Sequence, residues 1–260
     1  MNWYNLLATF AALYAIIAVR YFAICGLFYW ALWKRDPDKV RARKLTDIRP
    51  KPALIRSEIR WSLISSFIYA APGAVIIEAW KHGGTALYTD VAAYGWWYVP
   101  VSIFIFLFVQ DTYFYWTHRL MHRPRLFRVM HKVHHDSLQP TPWAAFSFHP
   151  YEALLSVIPI PLLVFLVPLH VGALLFILIF MTLCSVLNHT GYEIFPDRWL
   201  RGFMGKQMIS AAHHNLHHQR YKCNYALYFR FWDKVMGTDV MEEAYDFLAP
   251  RPAPTMATES

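Results

Sequence analysis

Residues 96–122 read WWYVPVSIFIFLFVQDTYFYWTHRLMH. The segment from about Ala92 to Trp116 is long and apolar enough, at ~1.5 Å per helical residue, to cross a ~30 Å hydrocarbon core. It runs without a turn signal into His118 and His122. If the helix continues past the apolar run, that i,i+4 pair shares one face. One stretch therefore predicts both a membrane span and imidazoles gathered at its end.

Working outward, other apolar blocks lie at about Leu6 to Leu32, Trp61 to Trp80 and Ala153 to Leu187. The last is too long for one crossing. VPLHVG, Val167 to Gly172, offers a break, so a hairpin is expected. Arg20 interrupts the first block and must snorkel, pair or mark a boundary. The N-terminus lacks a basic region before its apolar run and reads as a retained span. Pro72 and Gly73 are candidate kink sites in the second block. The expected fold is an all-α integral membrane protein with four to five transmembrane helices. Residues 1–91 are expected to form N-terminal spans and a basic loop, 92–240 the unit that carries every histidine but His82, and 241–260 a tail that is disordered at its end.

Composition agrees. The chain of 260 residues is 57% hydrophobic, against roughly 45–50% for soluble domains. Its formal charge is +8, but the cations flank apolar blocks, which fits lipid headgroups and topology control and not nucleic acid. Cys25, Cys184 and Cys223 show neither CxxC spacing nor a disulfide framework. Of the 25 Lys and Arg, ten lie in 34–60, five in 117–152 and eight in 189–260. With 34–60 taken as cytosolic and the hairpin crossing twice, every histidine cluster falls on the cytosolic face.

All but one of the 13 histidines, His82, lie between His118 and His218. HKVHH supplies His131, His134 and His135; HNLHH supplies His214, His217 and His218; His189 ends the hairpin. Neutral imidazoles ligate Zn, Fe, Cu and Ni. Zinc alone wants four ligands, so eight or more imply a dinuclear site. Soluble di-iron bundles use ExxH pairs and zinc hydrolases use HExxH; both motifs are absent. A transport site would sit at mid-span, not at one face. A structural protein with a dead metal site is the remaining rival.

DTYFYWTHRLMHRPRLFRVMHKVHH, PWAAFSFHPYEALL, NHTGYEIFP and HHNLHHQRYKCNYALYFRFWDKVMGT resemble the fatty acid hydroxylase/sterol desaturase superfamily over about residues 95–240. The resemblance implies an O2-dependent, non-haem enzyme with two iron ions in a cytosolic histidine cap, acting on a membrane lipid. It implies electrons from NAD(P)H through a separate cytochrome b5-like or ferredoxin-like carrier and its reductase. The membrane would be a bacterial inner membrane or endoplasmic reticulum. Carried over by motif, the ligands are His118, His122, His131, His134, His135, His189, His214, His217 and His218. Some relatives have a histidine where this chain has Glu193, so Glu193, His149 and His213 are supplementary candidates.

Asp111 is expected to accept an imidazole N–H from its place one helical face below His118. Asp233 is expected to do likewise or cap a helix, and Asn224 to cap backbone. Tyr115, Tyr192 and Tyr225 are candidate lining residues. The resemblance implies hydroxylation or desaturation of an unactivated C–H bond; the NHTGYE region resembles sterol C4-methyl oxidases and ether-lipid monooxygenases more than C5-desaturases, which implies hydroxylation.

Overall fold

A computed structural model describes residues 2–35, 38–46 and 48–240, without the side chains of Asp38 and Lys39. The expected tail, 241–260, lies outside the described residues. The main elements are α1 (Trp3–Tyr29), α2 (Pro52–Lys81), β1 (Leu87–Tyr88), α3 (Tyr98–Met121), α4 (Lys132–His135), α5 (Pro150–Val157), α6 (Pro159–Leu166), β2 (Leu169–His170), α7 (Val171–Asn188), α8 (Ala211–Arg220) and α9 (Phe231–Val235). Trp3–Lys34, Pro52–Lys81, Tyr98–Met121 and Val171–Asn188 are each long and apolar enough to cross a membrane. Pro150–Leu166 is a shorter apolar helix. The protein is a helical membrane protein with four candidate spans and a histidine-rich cap.

The expected block Ala153 to Leu187 is a hairpin. Pro159 has no N–H to continue α5 and starts α6 afresh. The chain then turns at Val167, and His170 caps α7 by accepting from the Gly172 N–H at 3.1 Å. On this side of the molecule β2 pairs with β1 in parallel, Leu87 with Leu169 and Tyr88 with His170. The apolar core between α2, α3, α6 and α7 contains Ile76, Phe106, Val164 and Ile177. Leu7, Val19, Phe104, Leu175 and Phe176 point outward, as lipid-facing side chains do.

Hydropathy underestimates two helices. α2 begins at Pro52, not Trp61, because Pro suits the first helical position, where no N–H is needed. Its early turns belong to the cap: buried Glu58 accepts from Ser137 Oγ at 2.6 Å and Thr141 Oγ1 at 2.7 Å. α2 continues as helix through Pro72 to Lys81, and Gly73 admits Leu13 of α1, which a β-carbon would meet at 3.1 Å. α1 also outruns the apolar slab. Tyr21 donates to the Trp143 carbonyl at 2.8 Å and Trp33 to that of Thr190 at 2.8 Å, both in the cap. Arg20 immediately precedes Tyr21, the residue through which α1 bonds this part of the cap.

The end of α1, the start of α2 and the ends of α3 and α7 meet at one end of the bundle. The basic segment is clipped there as well. Arg43 donates to the carbonyls of Glu193 (2.7 Å) and Phe195 (2.6 Å) and pairs with Asp197 at 2.8 Å.

Candidate metal centre

α3 carries the apolar run without interruption into the cap, so its last turn delivers His118, and His122 caps it. After Arg123 the chain restarts at Pro124. A widened π turn, Phe127–His131, precedes the single turn of α4; such turns recur at functional sites. His189 is the C-cap of α7, and α8 supplies His214, His217 and His218.

These histidines fall into two groups. His118, His122, His131, His135 and His217 form one; His134, His189, His214 and His218 form the other. Within each group one ring nitrogen per residue lies within 4.8 Å of all the others. Each HxxHH segment serves both groups. Positions i and i+4 share a helix face, while i+3 is turned aside. Thus His131 and His135 join the first group and His134 the second, whereas His214 and His218 join the second and His217 the first.

The tautomers can be assigned from the partners, because a carbonyl only accepts. His118 Nδ1 donates to the Tyr225 carbonyl (2.8 Å), His217 Nδ1 to that of Cys223 (2.7 Å), His189 Nδ1 to that of Ser185 (2.6 Å) and His134 Nδ1 to that of Ser147 (3.3 Å). His131 Nδ1 faces Glu152 Oε1 at 2.7 Å. The four carbonyl-bonded imidazoles therefore turn bare Nε2 lone pairs inward, and His131 does the same when its Nδ1 donates to Glu152. The Nε2 atoms of His118 and His131 are 3.0 Å apart, and those of His134 and His189 are 3.3 Å apart. No proton is left to lie between His134 and His189, whose Nδ1 atoms both donate to carbonyls, and two lone pairs at that distance repel.

A cation resolves the repulsion. With metal–nitrogen bonds of about 2.1 Å, neighbouring ligand atoms are about 3.0 Å apart in an octahedron and about 3.4 Å in a tetrahedron. The remaining contacts fit as well: His135 to His217 at 3.1 Å, His189 to His214 at 3.0 Å and His214 to His218 at 3.1 Å. Burial keeps the imidazoles neutral and ready to bind: His131, His134, His135, His214, His217 and His218 are held well below the usual value, and His189 is pushed down to about 4. The donor set fits two metal ions.

The supplementary candidates stand apart from both groups. His149 caps α5, accepting from the Tyr151 N–H at 3.3 Å. Glu193 accepts from the backbone N–H groups of Phe195 (3.1 Å) and Ala212 (3.0 Å). His213 is buried, with Nε2 3.8 Å from Asp239 Oδ1. Asp111 does not meet an imidazole, contrary to the expectation for it. Its Oδ1 accepts from Leu227 (3.1 Å), Tyr228 (2.7 Å) and Phe229 (3.3 Å). Asp233 accepts from the N–H groups of Tyr225 and Ala226, each at 2.9 Å. Both carboxylates thus anchor the segment whose Tyr225 carbonyl orients His118. Asn224 caps backbone as expected, donating to the His213 carbonyl at 3.0 Å and accepting from Val240 at 2.9 Å.

Among the tyrosines, Tyr225 packs on His122 with centroids 5.2 Å apart. Tyr115 stands behind it, its hydroxyl 3.0 Å from Thr238 Oγ1, and Tyr192 packs on Trp33 instead. Sequence reasoning missed Glu152, Phe148, which covers His134 at 5.0 Å, and Tyr221, which lies 4.8 Å from His135. Glu152 falls three residues after His149 in FSFHPYE, so a buried carboxylate near the site was readable there.

Fold and site together define a multi-span membrane protein with two adjacent polyhistidine pockets at one end of its bundle. The fatty acid hydroxylase family model matches residues 103–238, and the chain belongs to that family, within the fatty acid hydroxylase/sterol desaturase superfamily. It is similar to the Delta(7)-sterol 5(6)-desaturase ERG3B of Gibberella zeae, 32% identical over 192 residues, covering 72% of this chain and 58% of that protein. It is also similar to the lathosterol oxidase of Mus musculus, 34% identical over 158 residues, covering 60% and 51%. The chain thus spans about half to three fifths of these relatives' length. No solved structure matches.

Proposed function

We propose that this chain is an O2-dependent membrane oxidoreductase that holds two iron ions in its paired histidine groups and removes hydrogen from an unactivated C–H bond of a lipid. The observation that carries the reading is that the carbonyl-fixed His134 and His189 turn bare Nε2 lone pairs on each other at 3.3 Å, inside two groups of four and five converging ring nitrogens. An all-nitrogen donor set suits iron, and O2 chemistry at iron would supply the oxidising power when the metal is bound. The chain's own residues do the rest. The Tyr225, Cys223, Ser185 and Ser147 carbonyls hold four rings in their ligating tautomers. Phe148 and Phe127 exclude water from the two groups. The spans supply an apolar path for a lipid, whose placement to within about an ångström decides which hydrogen is lost.

The relatives' names favour desaturation of a sterol-like lipid over the hydroxylation suggested by the NHTGYE region. Hydroxylation stays as the second reading because the matching family model is that of fatty acid hydroxylases. The cytosolic face for the cap rests on the distribution of Lys and Arg.

The test is metal analysis of detergent-purified protein with iron spectroscopy, followed by product analysis on lipid substrates. We expect two coupled irons per chain. His134→Ala should lose iron from the four-histidine group and abolish turnover. Two zincs from iron-replete cells, or a full iron complement with activity in His134→Ala, would sink the reading. A product lighter by two hydrogens identifies desaturation, and one with an added oxygen identifies hydroxylation.

A further inference from the structure

Among the cluster histidines, His122 alone is not fully buried, and its Nε2 has no hydrogen-bond partner. It borders a cleft of about 220 Å³ lined with Pro124, Phe127, Arg128, Tyr221 and Lys222. The cleft lies beyond the last turn of α3. From there the chain runs back past Tyr225, beside His118, to the segment 227–229 beside Asp111, so the cleft is on the side of the histidines away from the spans.

Two observations set this cleft apart. The first is charge. Arg123, Arg125, Arg128 and Lys222 are exposed and have no acidic partner among the described residues. Across 119–136 and 219–224 the only carboxylate is Asp136, which Lys132 already holds at 2.5 Å. The second is Tyr221. It ends α8 in the left-handed conformation, φ 64°, which a β-carbon disfavours and which glycine or asparagine usually fills. The strained backbone presents an aromatic ring to the site. That ring lies 4.8 Å from His135 and 6.4 Å from His122, and Phe127 lies 5.5 Å from each of those histidines.

Resting on the oxidoreductase reading, we propose that this basic cleft docks an acidic one-electron carrier protein, and that Tyr221 and His122 form the inner end of the electron route into the five-histidine group. The stoichiometry requires a donor. Converting CH–CH to C=C with O2 gives two waters, and converting C–H to C–OH gives one. Each uses two electrons and two protons from outside the substrate. The carrier supplies one electron per encounter and leaves oxidised, two encounters complete a turnover, and the protons come from water. Arg128 and Lys222 at the cleft beside His122, with exposed Arg123 and Arg125 close by in sequence, steer such a partner.

The test uses the iron-loaded full chain in nanodiscs. The probes are the reduced soluble haem domain of a cytochrome b5 and a reduced 2Fe–2S ferredoxin, with stopped-flow detection of carrier oxidation. Excess dithionite measures the total reducible iron. In the charge-reversed Arg128→Glu/Lys222→Glu variant the faster carrier should react at least about tenfold more slowly at low salt, with a flatter salt dependence and unchanged dithionite reduction. Tyr221→Gly relieves the left-handed backbone, so it should unfold no earlier than wild type. It should still lower the limiting rate at saturating carrier without shifting the concentration at half-saturation.

Unaltered rates in both variants would overturn the proposal. It also falls if neither carrier reduces wild-type protein that dithionite reduces, or if anionic nanodisc lipid rather than bulk salt governs the rate. Protein that takes up no iron, or iron that dithionite cannot reduce, would instead bring down the oxidoreductase reading on which it rests.

Discussion

Glu152 reaches His131 Nδ1 at 2.7 Å from the first turn of α5, where carbonyls serve the other oriented rings of the site. A carboxylate on the far nitrogen raises the basicity of the ligating one and fixes the ring. Glu152→Gln keeps the shape and an acceptor but removes the ionisable carboxyl. It should weaken one of the two bound metals by about 10–100-fold and leave the other in place. Chelator competition with metal analysis checks this; equal loss of both ions, or no loss, counts against the role. Asp111 and Asp233 illustrate the limit of residue-by-residue reading. Both were legible as buried carboxylates near the site. Their backbone partners were not, because Leu227 to Phe229 lie 116 to 118 residues from Asp111 in sequence.

At the scale of elements, helical periodicity explains how six residue positions feed two pockets. The spacing i, i+3, i+4 was plain in HKVHH and HNLHH, and so was the pairing of i with i+4. What spacing leaves open is that the two segments face each other and exchange their odd member, which depends on how α4 and α8 pack. The turn after α7 carries a comparable constraint. Gly191 sits at φ 74°, and a β-carbon there would meet Gln139 Nε2 at 2.6 Å, Trp33 Cζ2 at 2.7 Å and the Pro140 carbonyl at 3.0 Å. Gly191→Ala should therefore destabilise the protein by about 2 kcal/mol or more. Because His189 is two residues away, metal should be lost first from the four-histidine group. Thermal unfolding paired with metal analysis decides it; an unchanged melting temperature with full metal would show that the turn absorbs the change.

The whole molecule carries a pH signature. Burial holds His131, His134, His135, His214, His217 and His218 well below an unfolded value of about 6.5, with His189 at about 4. Between the folded and unfolded values the unfolded chain binds more protons, so stability rises with pH there. The contribution is complete above about pH 7.5 and is lost as pH falls through 6.5, at up to about 1.4 kcal/mol per pH unit for each histidine. Metal-free protein should thus melt progressively earlier from pH 7.5 down to 5, and metal should be released over the same interval. Melting curves flat across that window would mean that the histidines are solvated and the pockets are not closed.

The amino-acid sequence alone determined the helical membrane class, the hairpin and the family, because span length, breakers and HxxHH spacing are local properties carried by consecutive residues. It also brought forward the nine histidines as a set. The tertiary structure decided how they divide between two groups, which tautomer each oriented ring adopts, and that Glu152 and not Asp111 meets an imidazole. It also decided that Glu58 is buried in the cap and that His149 and Glu193 are spent on backbone. These depend on partners far apart in the chain, and hydrogen-bond directionality selects them only once the helices have packed.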